Sequence, residues 1–369
     1  MLNRSLAVFL IGAFALTTVS FAETHEKIHQ PKLTLQNSGT TQGLIAVSPV
    51  DSRVVWASGR GGTFLVTTNG GETWKAAVVP GAEALQFRDV QGVSDKIAYL
   101  QSIGSNPTDF RIYKTEDGGA TWTMQFQNQN PSAFYDCFAF WTPNHGLSHS
   151  DSVNGVFPDL RTTDGKTWQD ISGNMPPALP GEASFAASGT CVATQGEKNA
   201  WIATGGSTIA RILSTRDGGD TWNAYNTPLV SSPSAGAFTV DFRDAWHGIV
   251  GGGDLDPSDP NNARTATSSD GGKTWNLTNA PPVTGAIFGL SYVRTISNGG
   301  DLGRRQEGDD DGGNAVVITA NAGGAAWTPD EGNTWFTLPG VTGYWAVAFA
   351  SPKAGWLVGT GGTILKIRF

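Results

Sequence analysis

Short apolar runs alternating with polar residues fill most of the chain, and each is cut off after a few positions by Gly, Asn, Asp or Pro. Alternation with a period of two marks strands with one covered face, and the interruptions supply turns. The stretch "AFTVDFRDAWHGIVGGG" (237–253) shows the unit: one strand, the turn "RDAWHG", then a second strand. A third strand follows, as in "FRIYKTEDGG" (110–119), and leads into a turn that closes on a tryptophan. No useful length of chain after residue 30 carries apolar residues at helical spacing.

The closing turn recurs six times, as "TTNGGETW" (67–74), "TEDGGATW" (115–122), "TTDGKTW" (162–168), "TRDGGDTW" (215–222), "SSDGGKTW" (268–275) and "TPDEGNTW" (328–335). Subtracting the numbers of Trp74, Trp122, Trp168, Trp222, Trp275 and Trp335 gives spacings of 48, 46, 54, 53 and 60, the size of a four-stranded propeller blade with variable loops. The acid of each turn can accept backbone N–H groups, the glycines supply positive φ, and the Thr hydroxyl adds a local bond. Asn69, Asp117, Asp164, Asp217, Asp270 and Asp330 are therefore expected to be structural, with each Trp filling the gap to the next sheet. The ends complete the count: "GYWAVAFASPKAGWLVGTGGTILKIRF" (343–369) supplies three strands, and "KLTLQNS" (32–38) supplies one without neighbours. The expectation is an all-β, seven-bladed β-propeller closed by its N-terminal strand, which leaves no open edge.

Composition fits this reading, with 48 glycines, 13 tryptophans and only 15% charged residues. A net charge of −8 without a basic stripe excludes a nucleic-acid binder. "MLNRSLAVFLIGAFALTTVSFAETHEK" has a basic start, an apolar run and small residues around Phe21, so residues 1–22 read as a signal peptide cut after Ala22. Residues 23–30 would be a tail and 31–369 the propeller, exported to the periplasm or beyond, with no membrane span once the leader is removed. Cys137 lies nine residues before Gly146 and Cys191 five before Gly196; this offset predicts different heights on neighbouring strands and two free buried thiols. The histidines show no ligand spacing and the glycine pairs follow no βα unit, so neither a metal nor a cofactor is expected. "GGDLGRRQEGDDDGG" (299–313) lacks calcium-loop spacing and reads as a polar loop.

If the first strand of each blade is innermost, the closing turns share one face with the first-to-second turns, including those of His145 and His247. The opposite face carries the second-to-third loops and the blade connections, where function is expected to collect. The candidates there are Arg60, Arg111, Tyr135, Asp136, His149, Asp151, Glu182, Arg211, Asp254 and Tyr344. Asp136 begins an innermost strand and faces the channel on this reading, with Arg211 as a candidate ion-pair partner.

The turns resemble the Asp-box (BNR) repeats of sialidase-type propellers. The finer pattern, in "GGTFLVTTNGGETW", "LSHSDSVNGVFPDLRTTDGKTW", "PGEASFAASGTC", "TGGSTIARILSTRDGGDTW" and "GWLVGTGGTILKIRF", resembles the photosystem II stability/assembly factor group and its non-photosynthetic bacterial relatives. The resemblance implies a binding scaffold for a protein, peptide or glycan, and a monomer is expected. The alternative is a sialidase-like glycoside hydrolase, against which "FRIYK" (110–114) lacks the Pro of the sialidase Arg-Ile-Pro pattern.

Overall fold

The computed structural model describes residues 30–256, 263–294 and 313–369. The expected leader, nearly all of the tail and nearly all of the 299–313 insertion lie outside these residues. Among the described residues the strands form seven four-stranded antiparallel sheets, and the only helical elements are three short 3-10 turns. Blades 1 to 6 are read straight off the chain, four consecutive strands each. Blade 7 takes three strands from the C-terminal segment, and Lys32–Gln36 pairs antiparallel with Ile364–Arg368 as its outer strand. The inner strand of each blade packs on that of the next, and blade 7 returns to blade 1. The alternation in the sequence thus serves two faces, each covered by a neighbouring sheet.

The six turns are held as their chemistry requires. Asp270 accepts Thr274 N–H at 2.9 Å and Lys273 N–H at 3.0 Å on Oδ1, and the Thr274 hydroxyl on Oδ2 at 2.7 Å. Ser268 Oγ accepts Gly272 N–H at 2.9 Å and donates to Asp270 at 2.9 Å. Gly271 and Gly272 stand at φ 79° and 87°, where a side chain would strain the backbone. The tryptophans reach the preceding sheet, not the following one. Trp122 of blade 2 packs on Trp56 and Phe64 of blade 1, Trp168 of blade 3 bonds Gln125 of blade 2, and Trp74 of blade 1 bonds Gln36 of blade 7.

The two cysteines form a disulfide with Cα atoms 6.0 Å apart, which corrects the expectation of free thiols. Glycines in the following turns were the wrong ruler. Gly146 and Ala200 are the equivalent positions, each opposite the threonine that opens its closing turn. Three residues beyond each stand His149, which pairs with Cys137, and Ala203, whose N–H donates to the Cys191 carbonyl. The cysteines therefore lie level on adjacent inner strands.

Candidate functional site

The inner strands share an irregularity at the end facing the second-to-third loops. Register shifts fall between Leu44 and Ala46, Phe87 and Asp89, Tyr135 and Cys137, Ala237 and Thr239, and Tyr344 and Ala346. Each inserts one residue: Ile45, Arg88, Asp136, Phe238 and Trp345. In blade 6, Phe288 precedes the inner strand Gly289–Tyr292 and donates its N–H to Thr319, the partner of Gly289, so it holds the equivalent place. Such bulges re-aim side chains at a rim. Here they set different chemistry around the ring: Arg88 and Asp136 on blades 2 and 3, aromatic rings on blades 5, 6 and 7.

Blade 4 inserts a whole segment instead. Ala183 bridges to Gly205 and the Ser184 hydroxyl bonds Ala203 O, after which the strand resumes at Cys191, also opposite Ala203. Residues 185–190 leave the sheet between these points and cross the channel. The Ala186 carbonyl takes a bond from Arg88 Nη1 of blade 2 at 2.8 Å, and its N–H bonds Asp136 of blade 3. Ser188 Oγ donates to Phe288 O of blade 6 at 2.6 Å, Thr190 Oγ1 meets Thr239 Oγ1 of blade 5 at 2.8 Å, and the Phe185 ring stacks on Phe238 at 3.8 Å. The channel is therefore floored by a plug bonded to four other blades.

Several sequence-predicted residues converge on the base of that plug. Asp136 is buried and Asp151 half-buried, and the two carboxyl groups are neighbours. Burial, then the neighbouring carboxylate, pushes Asp136 well above the usual range; burial also raises Asp151, against the Ser184 N–H that bonds it at 2.9 Å. Two desolvated carboxyls in contact favour holding one proton between them. Glu182 pairs with Arg211, through Nε at 2.8 Å and through Nη2, and also accepts Thr204 Oγ1 at 2.6 Å and Leu179 N–H at 2.8 Å. Arg211 is thus the partner of Glu182 rather than of Asp136, and this pair clamps the loop that leads into the plug. His149 is enclosed, its Nδ1 2.8 Å from Asp159, with both side chains fully buried.

The remaining candidates lie apart from this cluster. Asp254 is occupied by Ser234 Oγ at 2.8 Å and Asp256 N–H at 2.9 Å. Arg111 bonds Thr108 O at 2.9 Å and Tyr113 Oη at 3.2 Å. Tyr135 and Tyr344 are buried. On the opposite face, His247 binds Asp244 at 2.9 Å, and the His145 ring lies 4.4 Å from that of Trp141.

Arg60 differs from all of these. It is exposed in the second-to-third loop of blade 1, and its Cδ lies 3.6 Å from a Cβ built on Gly43, next to the inner strand Leu44–Pro49. The guanidinium has no hydrogen bond or ion pair among the described residues. Burial and then the positive charge of Arg60 lower the Arg88 pKa, against the neighbouring Asp136, which raises it. An exposed guanidinium without a partner, beside a second arginine, makes this arc suited to an anionic group. Arg88, Phe238, Phe288 and Trp345 were missed in the sequence. Their signal is a break in alternation, such as the adjacent "FRD" of 87–89, that recurs when the inner strands are aligned.

No protein-family model matches the chain. Over 230 residues, 57% of this chain, it is 26% identical to the chloroplastic photosystem II stability/assembly factor HCF136 of Cyanidioschyzon merolae, spanning 48% of that relative's length. Among solved structures it is similar to "YCF48 bound to D1 peptide", with a TM-score of 0.61 and 16% identity over 92% of this chain and 97% of the other. YCF48 from Cyanidioschyzon merolae gives a TM-score of 0.57 and 15% identity over 91% and 98%. The WD40 propeller domain of Doa1 gives 0.53 and 12% over 91% and 96%. The seven-bladed all-β propeller is the fold these structures share with the chain, and the curated match adds a partial likeness in sequence to a photosystem II assembly factor.

Proposed function

We propose that the protein is an exported, non-catalytic scaffold of assembly-factor type. It captures an acidic segment of a partner protein at the channel mouth on the loop-rich face. The observation that carries this reading is Arg60, an exposed and unpaired guanidinium leaning over a rim that holds a second, desolvated arginine. A carboxylate brought there gains a charge-assisted bond without first breaking an existing pair. The plug supports a mouth-binding mode, because it closes the axial path and gives the bound segment a floor. Likeness to a propeller described as bound to a peptide supports a peptide ligand over a glycan. Export is supported by the disulfide, which suits an oxidising compartment.

The test is fluorescence anisotropy with a dye-labelled peptide carrying two adjacent glutamates, compared with the same peptide carrying glutamines. Saturable binding of the acidic peptide that weakens as salt rises is expected. Equal binding of both peptides, or turnover of glycoside substrates by the purified protein, would overturn the reading.

A further inference from the structure

The aromatic residues at the bulge positions have no part in the reading above. Phe185, Phe238, Phe288 and Trp345 form a continuous arc from blade 4 to blade 7, with ring centroids 3.8, 5.8 and 5.0 Å apart in succession. Phe238 is fully buried beneath Phe185, whereas Phe185, Phe288 and Trp345 are each partly exposed. The backbone beneath the open rings is fixed: Phe288 O accepts Ser188 Oγ at 2.6 Å and Trp345 O accepts Thr319 Oγ1 at 2.8 Å. The Phe288 and Trp345 rings meet at 63°, a T-shaped arrangement that offers an incoming ring both a face and an edge. The Trp345 indole N–H has no protein partner among the described residues and is available to a carbonyl.

We infer that this arc is a side-chain-selecting subsite: the captured peptide carries a large apolar or aromatic residue, near its acidic group, that docks on Phe288 and Trp345. This rests on the peptide-binding reading. The occupant follows from the division of the rim, with the unpaired guanidinium of Arg60 on blade 1 and aromatic surface on blades 5 to 7. A segment with only acidic residues would leave the rings wet, and one with only apolar residues would leave Arg60 unpaired. Rigid aromatic surface with one free polar tip is the usual composition of an interface anchor point.

The experiment uses two dye-labelled acidic peptides that differ at one position beside the glutamates, Phe in one and Ser in the other. They are titrated against the wild-type protein, Trp345→Ala and Trp345→Phe. The wild type is expected to bind the Phe peptide about tenfold more tightly, a preference that Trp345→Ala erases and Trp345→Phe retains. Equal affinity of the wild type for both peptides overturns the subsite while leaving acidic-peptide capture standing. Failure of every acidic peptide to bind overturns the capture reading and the subsite together. The comparison on the wild-type protein remains decisive even if Trp345→Ala fails to fold.

Discussion

Acidic residues in this protein divide by what already occupies their oxygens. Asp270 is filled by its own turn, and although partial burial works against ionisation, bonds from Thr274 outweigh it and hold the pKa at about 2. A carboxylate depressed below its unfolded value contributes stability that is present above about pH 4 and lost as pH falls through about 2. Asp270→Ala should therefore cost about 0.5–2 kcal/mol at neutral pH, by analogy with lost helix caps, and the difference in melting temperature from wild type should shrink towards pH 2. A difference that persists unchanged at acid pH would assign the effect to packing. The Glu182–Arg211 pair behaves differently because it is buried, and removing one partner strands the other charge. Arg211→Ala is expected to destabilise by about 3–5 kcal/mol in denaturant titration, and wild-type stability would contradict the clamp.

At the scale of elements, the outer strand Lys32–Gln36 closes blade 7, with Leu33 packed against that blade's core. Deleting residues 31–38 should lower the melting temperature far more than deleting 23–30, since only the first exposes the edge of Ile364–Arg368. Equal melting temperatures would reject closure by this strand. Strand count and turn chemistry were legible in the sequence because each repeats: six tryptophan-closed turns and two unmatched ends leave little choice. The bulges escaped the reading because a single inserted residue breaks the alternation only locally, and the break shows as a pattern only when the inner strands are aligned. Nor was the plug, because "FAASGT" (185–190) reads as the small-residue start of the next strand. Asp151 and Glu182 were picked out on the loop-rich face, Asp136 at the start of an inner strand and Arg211 as a charge interrupting an apolar strand, and they do cluster. What the sequence withheld is that Glu182 pairs with Arg211 and that Asp136 bonds the plug, leaving Arg60 as the open group.

For the whole molecule, the ring supplies rigidity and the faces supply difference. N-terminal sequencing of protein recovered from the host is expected to begin at Glu23, whereas an intact Met1 on membrane-bound material would contradict export. The described residues contain no helix long and apolar enough to cross a membrane. The channel mouth, with unpaired positive charge on one side, aromatic surface on the other and a plug beneath, is the part of the molecule through which we expect it to act. The most direct test compares acidic-peptide affinity for wild type, Arg60→Glu at the mouth and Lys96→Glu on the opposite face, where Lys96 is 64% exposed. Both substitutions change the net charge equally, so long-range effects cancel in the comparison. The account predicts that Arg60→Glu weakens binding at least about tenfold while Lys96→Glu leaves it nearly unchanged. Equal effects of the two would contradict it.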